Sequence, residues 1–240
     1  MSSGQELAVK IFAPPGVFRP HSDTLMLAER IRGEVRPGWR VLDLCSGSGA
    51  VAVAAARGGA AETTAIDVSL RSVAATRFNA IRNGVRVRAL RGDLFAPVRG
   101  RRFDAIVSNP PYLPSADEEL PRRGIRRAWE GGPDGRTILD RIIAGAGQHL
   151  RPGGVVMVVH SSLCGVEATL HGFAESGLEA TVVECRTGPL GPILSSRAPL
   201  LERRGLVRGG VREEDLVVIS ARDRSRRSPA PVQPLARSLR

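Results

Sequence analysis

Short apolar runs recur along the chain, and several of them stop at an acidic residue, a glycine or a proline. The runs are rich in β-branched residues, and the segments between them carry apolar residues at helical spacing, which predicts alternating strands and helices. The predicted strands lie at 41–44, 63–66, 85–90, 103–108, 155–159, 178–185 and 216–219. The predicted helices lie at 25–31, 50–57, 69–82, 136–150 and 166–173. This alternation is typical of an α/β fold.

The chain is predicted to hold one main domain with an extension at each end. Its 240 residues can bury one substantial core, which we place at 37–221. The N-terminal extension, 1–36, is predicted to contain a short strand at 9–12 and a helix for which Ser22 or Asp23 is the N-cap. The segment 222–240 is rich in Arg, Ser and Pro without apolar periodicity, which predicts disorder.

The formal net charge is +11, and Lys10 is the only lysine. The segment 222–240 holds six arginines and one aspartate, so it carries +5 and leaves +6 for the rest. The overall charge is therefore weaker support for nucleic-acid binding than it first suggests.

The cysteine pattern indicates a reducing compartment. Cys45, Cys164 and Cys185 are odd in number and show no metal-ligand spacing, so we expect free thiols and no metal site. The chain shows no signal-peptide pattern and no apolar stretch of membrane-spanning length. We therefore expect a cytoplasmic protein that does not contact a membrane.

A glycine-rich turn follows the strand at 41–44. Asp43 opens it, Gly47 and Gly49 lie within it, and an Ala/Val helix follows. Glycines let a ligand approach the backbone, and a helix N-terminus offers N–H groups and partial positive charge. The pattern lacks both the Gly-Lys-Ser/Thr of a P-loop and a complete GxGxxG. It predicts a nucleotide-type site.

Acidic residues also end the next two strands. Asp67 follows the glycines by about 20 residues, where a ribose diol is usually held in this architecture. Asp93 is placed to accept from an adenine amine, with Leu94 and Phe95 against the ring. An Asx turn would explain Asp93 alone, but acids at three successive strand ends favour a ligand site.

The loop Asn109-Pro110-Pro111-Tyr112 ends the fourth strand. Prolines lack N–H donors, which leaves nearby carbonyls free to accept hydrogen bonds. The Asn109 amide oxygen adds an acceptor and Tyr112 adds an aromatic face. Such a loop suits a planar NH2-bearing group: an amide, an adenine or a cytosine. A structural turn would use similar residues.

A long charged stretch, 113–135, follows this loop and includes the arginines of Arg122–Arg127. Its length favours a lid or substrate-recognition element, although the arginines would also suit a solvated face.

The glycine motif at 43–49, Asp67, Asp93 and the loop at 109–112 resemble the class I S-adenosylmethionine-dependent methyltransferases. Within these, the segments at 17–24 and 131–135 and the late Gly-Pro and Val-Val-Ile elements resemble the short branch of the HemK/PrmC family, which methylates the glutamine of the Gly-Gly-Gln loop in translation release factors. The resemblance spans roughly residues 9–221 and implies a Rossmann-like seven-stranded sheet, mostly parallel, with one antiparallel strand.

The resemblance also implies roles for individual residues. Asn109, Pro110 and Tyr112 would receive the substrate NH2. S-adenosylmethionine would be held by Thr24, Asp43, Cys45, Ser46, Gly47, Gly49, Asp67, Val68, Asp93, Leu94 and Asn109. A release factor would be the protein partner, and some short-branch members need a small zinc-binding activator protein.

Other substrates and roles stay open from the sequence. The arginines of Arg122–Arg127 would suit a nucleic-acid amino-methyltransferase, although no separate target-recognition domain is evident. A protein lysine or a small amine would fit the same pocket. A cofactor-binding regulator or one subunit of a heterodimer would be a non-enzymatic alternative.

Overall fold

The computed structural model describes residues 9–223, which contain a seven-stranded sheet. Its strands are β1 (Arg40–Leu44), β2 (Glu62–Asp67), β3 (Arg88–Arg91), β4 (Phe103–Ser108), β5 (Leu150–Ser161), β6 (Glu179–Pro189) and β7 (Glu213–Arg222). Their order across the sheet is β3-β2-β1-β4-β5-β7-β6. Strand β7 runs antiparallel to both of its neighbours, and the other pairs are parallel. The predicted mostly parallel sheet with one antiparallel strand is confirmed.

Helices cover both faces of this sheet. They are α1 (Ser22–Glu34), α2 (Ala50–Arg57), α3 (Leu70–Arg82), α4 (Thr137–His149), α5 (Val166–Glu175), α6 (Pro192–Ser196) and α7 (Ala198–Arg203). Side chains alternate along β4: Ala105 and Val107 pack with α1 and α2, whereas Ile106 packs with α4 and α5. Because the central strands are buried on both faces, they form continuous apolar runs.

The topology concentrates the strand-end residues at one edge. The chain leaves β1 for β2 and β3, then returns to pair β4 with the other side of β1. Asp43 in β1 lies opposite Ala65 in β2 and Val107 in β4. The turns after these three strands therefore meet at the switch point, where open α/β sheets bind ligands.

The short strand predicted at 9–12 is wrong, because side chains satisfy that backbone. The Asn79 amide accepts from Phe12 N–H at 2.9 Å and donates to the Phe12 carbonyl at 2.7 Å. Asn83 makes the same pair of bonds with Lys10. Two asparagines one turn apart, Asn79 in α3 and Asn83 at its C-cap, thus make the bonds that a neighbouring strand would have made.

The N-cap prediction at Ser22 or Asp23 is also wrong. His21 is the N-cap of α1 without a side-chain cap bond, and the Asp23 carboxylate lies inside the fold, where it serves the site described below. Helices α6 and α7 occupy the connection between β6 and β7, where the sequence analysis predicted no helix.

The segments 1–8 and 224–240, which include most of the predicted disordered tail, lie outside the described residues. Within residues 9–223, no helix has both the length and the apolarity needed to span a membrane.

Candidate active site

A cavity of about 740 Å³ opens at the carboxyl edge of β1–β4, within the range of roughly 300–1,000 Å³ typical of small-ligand sites. Of the predicted site residues, Gly49, Pro110 and Tyr112 do not line it. Those that do are Thr24, Asp43, Cys45, Ser46, Gly47, Asp67, Val68, Asp93, Leu94 and Asn109. Most of the residues that the sequence predicted for the site therefore line one cavity.

The glycine-rich turn follows a tight path beneath the cavity. Gly47 and Gly49 have φ angles of +53° and +81°, and Cys45 adopts a φ of 57°, which is uncommon for a residue with a side chain. A Cβ at Gly49 would lie 2.7 Å from the Thr76 methyl group. The turn therefore needs glycine both for its conformation and for its close contact with α3.

Asp43 connects the end of β1 to the start of the helix that follows the glycine-rich turn. Its Oδ2 accepts the Ala52 N–H of α2 at 3.0 Å. Burial raises its pKa from 3.8 to about 8, further raised by the Asp67 charge and opposed by the Ala52 bond. Burial likewise raises the pKa of the Cys45 thiol, which leaves it uncharged and unsuited to act as a thiolate nucleophile.

Asp67 and Asp93 border the cavity on its β2 and β3 side. The two Asp67 oxygens each accept a backbone N–H, from Gly47 at 2.9 Å and from Ser69 at 2.8 Å. Burial raises the Asp67 pKa, which these bonds oppose. Asp93 is paired with Arg141 at 2.6 Å. Both carboxylates retain lone pairs for a diol or an amine.

Asn109 borders the opposite end of the cavity, where its amide orientation is determined by two partners on α1. Its Nδ2 donates to Asp23 Oδ2 and to Thr24 Oγ1, both at 3.0 Å. An ionised carboxylate only accepts hydrogen bonds, so the amide cannot turn over without placing oxygen against oxygen. The Asn109 oxygen is therefore left as an acceptor.

Tyr112 donates its hydroxyl to the same Asp23 oxygen at 2.9 Å, and burial raises its pKa well above its usual value. The phenol thus stays protonated and helps to orient Asp23. Asp23 is 4% exposed. The hydrogen bonds found in residues 9–223 do not reach the Pro110 carbonyl, which leaves a second acceptor in the loop.

The segment 131–135 packs closely against the back of this loop. A Cβ at Gly131 would lie 2.7 Å from the Pro111 carbonyl oxygen, and one at Gly135 would collide with the Tyr112 carbonyl. The Cys164 thiol also donates to that Tyr112 oxygen at 3.1 Å. The glycines thus permit backbone-to-backbone packing that keeps the loop in place.

Two further segments lie on the side of Asn109, which we call the acceptor end of the cavity. The lid (residues 117–128) contributes to the cavity wall, whereas the clamp (residues 190–204, with α6 and α7) does not line the cavity and packs on the chain behind it. Arg197 of the clamp donates to the Pro114 carbonyl and to Glu130, each at 2.6 Å. Arg204 donates to the carbonyls of Ser115 and Pro133. With a further bond from Arg204 to the Ala116 carbonyl, five bonds from two arginines tie the clamp to the chain that follows the loop.

The predicted basic cluster of the lid is divided between two roles. Arg122 pairs with Glu119, and Arg126 pairs with Asp117 and Glu130. Arg123 and Arg127 line the cavity. The lid cluster therefore combines exposed, ion-paired arginines with two that line the cavity.

The sequence prediction missed Asp23, Glu130 and Arg197 as residues of the site. Asp23 stood beside Thr24 at a helix start, where capping was the simpler interpretation. The long-range contacts of Glu130 and Arg197 had no sequence signal.

The residues present fit an adenosyl cofactor bearing an amino acid group. The glycine turn brings backbone close to the cavity, and Asp67 and Asp93 supply acceptors for a ribose and an exocyclic amine. Together with the sheet order and its antiparallel β7, this site defines the class I methyltransferase architecture.

Comparison with known proteins agrees with that class. Residues 8–128 match the methyltransferase small domain family, and the chain belongs to this family. The predicted S-adenosylmethionine-dependent methyltransferase is thereby confirmed.

Two relatives indicate which type of methyltransferase the chain resembles. The chain is 33% identical over 174 residues to a Methanocaldococcus jannaschii protein named as an N5-glutamine methyltransferase, covering 72% of this chain and 87% of the relative. It is 38% identical over 150 residues to the release factor glutamine methyltransferase of Geobacter sulfurreducens, covering 60% of this chain and 53% of the relative. The chain thus spans about half the length of that bacterial enzyme.

Solved structures share the fold. The E. cuniculi Mtq2–Trm112 complex, responsible for methylating the termination factor eRF1, contains a chain with a TM-score of 0.58 at 20% identity, covering 87% of this chain and 99% of that one. The T. thermophilus 16S rRNA methyltransferase RsmC, in complex with AdoMet and guanosine, has a TM-score of 0.55 at 22% identity, covering 87% of this chain and 46% of that one.

Proposed function

We propose that the protein methylates the side-chain amide nitrogen of a protein glutamine, and that its substrate is the Gly-Gly-Gln loop of a translation release factor. The names of two relatives support this: one is named as a protein N5-glutamine methyltransferase and the other as a release factor glutamine methyltransferase. The observation that carries the proposal is the orientation of Asn109, whose NH2 is held by Asp23 and Thr24. An acceptor oxygen is thereby presented where a substrate NH2 would bind.

The cofactor end would be formed by the glycine turn and the strand-end acids. Asp67 would hold the ribose, Asp93 the adenine, and the backbone at 46–49 the methionine part. When bound, S-adenosylmethionine supplies an electrophilic methyl group. Leu94, whose φ is 45°, would place its side chain against the adenine ring.

The acceptor end would orient a poor nucleophile. An amide nitrogen is weakly nucleophilic because its lone pair is delocalised into the carbonyl. The Asn109 oxygen and the Pro110 carbonyl would each accept one of its N–H bonds, which directs the nitrogen toward the methyl group and stabilises positive charge that develops on it. The surplus proton would leave to water afterwards, so no general base is required.

The test is methyl transfer from labelled S-adenosylmethionine to a purified release factor, with the modified residue mapped by mass spectrometry. We expect one methyl on the glutamine of Gly-Gly-Gln. Asn109→Ala should abolish transfer while the thermal stability of the fold is retained, whereas Asn83→Ala, which removes an amide that does not line the cavity, should retain activity. Transfer to a nucleic acid, a lysine or a small amine in place of the glutamine would overturn the proposal.

We further propose a small zinc-binding partner protein. Phe12, Phe78 and Ile81 are 49%, 50% and 80% exposed, and α3, which carries two of them, packs beside β3 at the edge of the sheet. Exposed apolar side chains next to a free strand edge suit a protein partner. Co-expression with a Trm112-type protein should raise solubility and activity, and Ile81→Asp should remove both gains. Full activity of the isolated chain would refute this partner.

A further inference from the structure

Arginines cluster at the edge of the sheet that lies opposite the cavity. Strands β3, β2, β1 and β4 are neighbours and run parallel, so their carboxyl ends share the cavity edge and their amino ends share the other. We call the residues at or next to the amino ends of β1–β5 the basic edge. Six arginines of the basic edge have no acidic partner within the described part of the chain: Arg36, Arg57, Arg86, Arg88, Arg99 and Arg102.

The two acids of the basic edge are already paired. Glu62 accepts from Arg40 and Arg101, and Asp104 pairs with Arg151. The basic edge therefore holds nine arginines against two acids, a net charge of +7. The described part of the chain contains 30 basic and 23 acidic residues, which is also a net charge of +7. The other described residues are thus balanced, and the surplus positive charge is concentrated at this edge.

The spread of these charges favours a chain of phosphates over a single anion. The amino ends of four neighbouring strands, spaced about 4.8 Å apart, cover about 14 Å. Guanidinium groups match phosphate oxygens with two parallel hydrogen bonds. Trp39 is half-buried beside them, with the Arg36 guanidinium carbon 5.8 Å from its ring centroid. Cations next to an aromatic face are typical of surfaces that bind single-stranded nucleic acid.

The C-terminal segment of the chain starts from the same side of the sheet. The Asp223 N–H donates to the carbonyl of Gly154, in the amino half of β5, at 3.2 Å. Arg222, the residue before it, pairs with Glu34. The residues that follow, 224–240, include five arginines and no acid. More positive charge therefore continues from a point next to the basic edge.

We propose that the basic edge docks single-stranded RNA through its phosphate backbone. The choice of RNA rests on the proposed function, because a release factor acts in translation, whereas the charge argument for a chain of phosphates does not depend on it. None of the six unpaired arginines lines the cavity. The RNA is therefore a docking partner and not the methyl acceptor, and the cavity stays open to the protein substrate.

The specific variant combines Arg88→Gln with Arg99→Gln. Both arginines are exposed, beside the amino ends of β3 and β4, and neither has an acidic partner among residues 9–223. The matched control combines Arg203→Gln with Arg208→Gln, which removes two exposed arginines, likewise without an ion pair in the described range, from the connection between β6 and β7. Each double variant removes the same charge, so a difference between them reports position.

The probe is a labelled single-stranded RNA of about 12 nucleotides, whose binding to the full chain is followed by fluorescence anisotropy between about 50 and 200 mM salt. We expect the slope of log K against log salt concentration to fall by about 2 in Arg88→Gln/Arg99→Gln, about 1 for each lost phosphate contact. The control should keep the wild-type slope. Without RNA, kcat and KM for the release factor should be unchanged in both double variants.

Three outcomes would overturn the RNA surface. An equal fall in slope in both double variants would mean that only net charge matters. A loss confined to the triple variant Arg224→Gln, Arg226→Gln, Arg227→Gln would leave the basic edge without a role. Polyglutamate of equal charge that binds as tightly as the RNA would assign the edge to an acidic protein.

The measurements also separate this surface from the function on which the choice of RNA rests. If RNA binds as expected but no release factor is methylated, the proposed function is overturned and the phosphate-binding surface stands. If the release factor is methylated but the wild type does not bind RNA, only the RNA surface is overturned.

Discussion

Asp23→Asn is expected to disable the acceptor end of the cavity while leaving the cofactor end intact. Asp23 Oδ1 accepts the Thr24 N–H at 2.6 Å, and this backbone donor will keep the single oxygen of the introduced amide. The introduced NH2 then takes the place of Oδ2 and faces the NH2 of Asn109, which is donor against donor. Asn109 relieves this by turning its amide over, and its own NH2 then points toward the substrate NH2.

The size of the effect follows from the bonds involved. Hydrogen bonds to charged groups contribute about 1.5–3 kcal/mol each, and 1.36 kcal/mol corresponds to a tenfold change. The change removes the charge-assisted Asn109–Asp23 bond and turns the acceptor facing the substrate into a donor. We therefore expect kcat/KM to fall by at least about 10- to 100-fold. The hydrogen bond between Tyr112 and residue 23 is retained, because the Tyr112 hydroxyl can rotate to accept from the introduced NH2.

Methyl-transfer kinetics on the release factor give kcat/KM, and calorimetry with S-adenosylhomocysteine gives cofactor-site affinity. Asp104→Asn is the matched control, since Asp104 also accepts a backbone N–H, from Arg40, and a side-chain bond, from Arg151, but does not line the cavity. A wild-type kcat/KM in Asp23→Asn would refute the orientation argument. A fall in both variants would attribute the loss to general destabilisation.

Two further predictions concern stability. Burial raises the pKa of Asp43 from 3.8 to about 8; between these values the native state holds a proton that the unfolded chain has lost, so stability falls as pH rises. Asp43→Asn should remove this dependence of stability on pH. The Tm of the variant minus that of the ligand-free wild type should therefore increase from pH 5 to pH 8. A difference that stays constant would contradict the raised pKa of Asp43. Gly135→Ala should lower Tm and activity more than Gly153→Ala. The two glycines have nearly the same φ, +80° and +79°, but only at Gly135 would a Cβ collide with Tyr112. Equal losses would leave backbone strain as the sole cause.

The cofactor end of the cavity was predictable because its determinants are local. Asp43, Asp67 and Asp93 each follow or end a short apolar strand, and parallel strands present their carboxyl ends at one edge. The sequence therefore predicted that these acids lie together without any knowledge of long-range contacts.

The acceptor end was only half predictable, because its partners are distant in the chain. Asn109 meets Asp23 across 86 positions, and that contact depends on how α1 packs on the sheet. Asp23 shows the same local pattern as a helix cap. At 9–12, the apolar alternation of a strand was present, but the Asn79 and Asn83 amides took the backbone bonds that a neighbouring strand would have made.

The clamp has a consequence for how substrate range can change. The residues proposed to bind the cofactor lie in the first half of the chain. The clamp, by contrast, is inserted between β6 and β7, and its Arg197 and Arg204 bond to the segment that follows the Asn-Pro-Pro-Tyr loop. Insertions, deletions or exchanges between these two strands would alter the support of that segment, which follows the loop carrying Asn109, while the proposed cofactor residues stay unchanged. The connection between β6 and β7 can therefore vary in evolution independently of the sheet edge that carries the strand-end acids and Asn109.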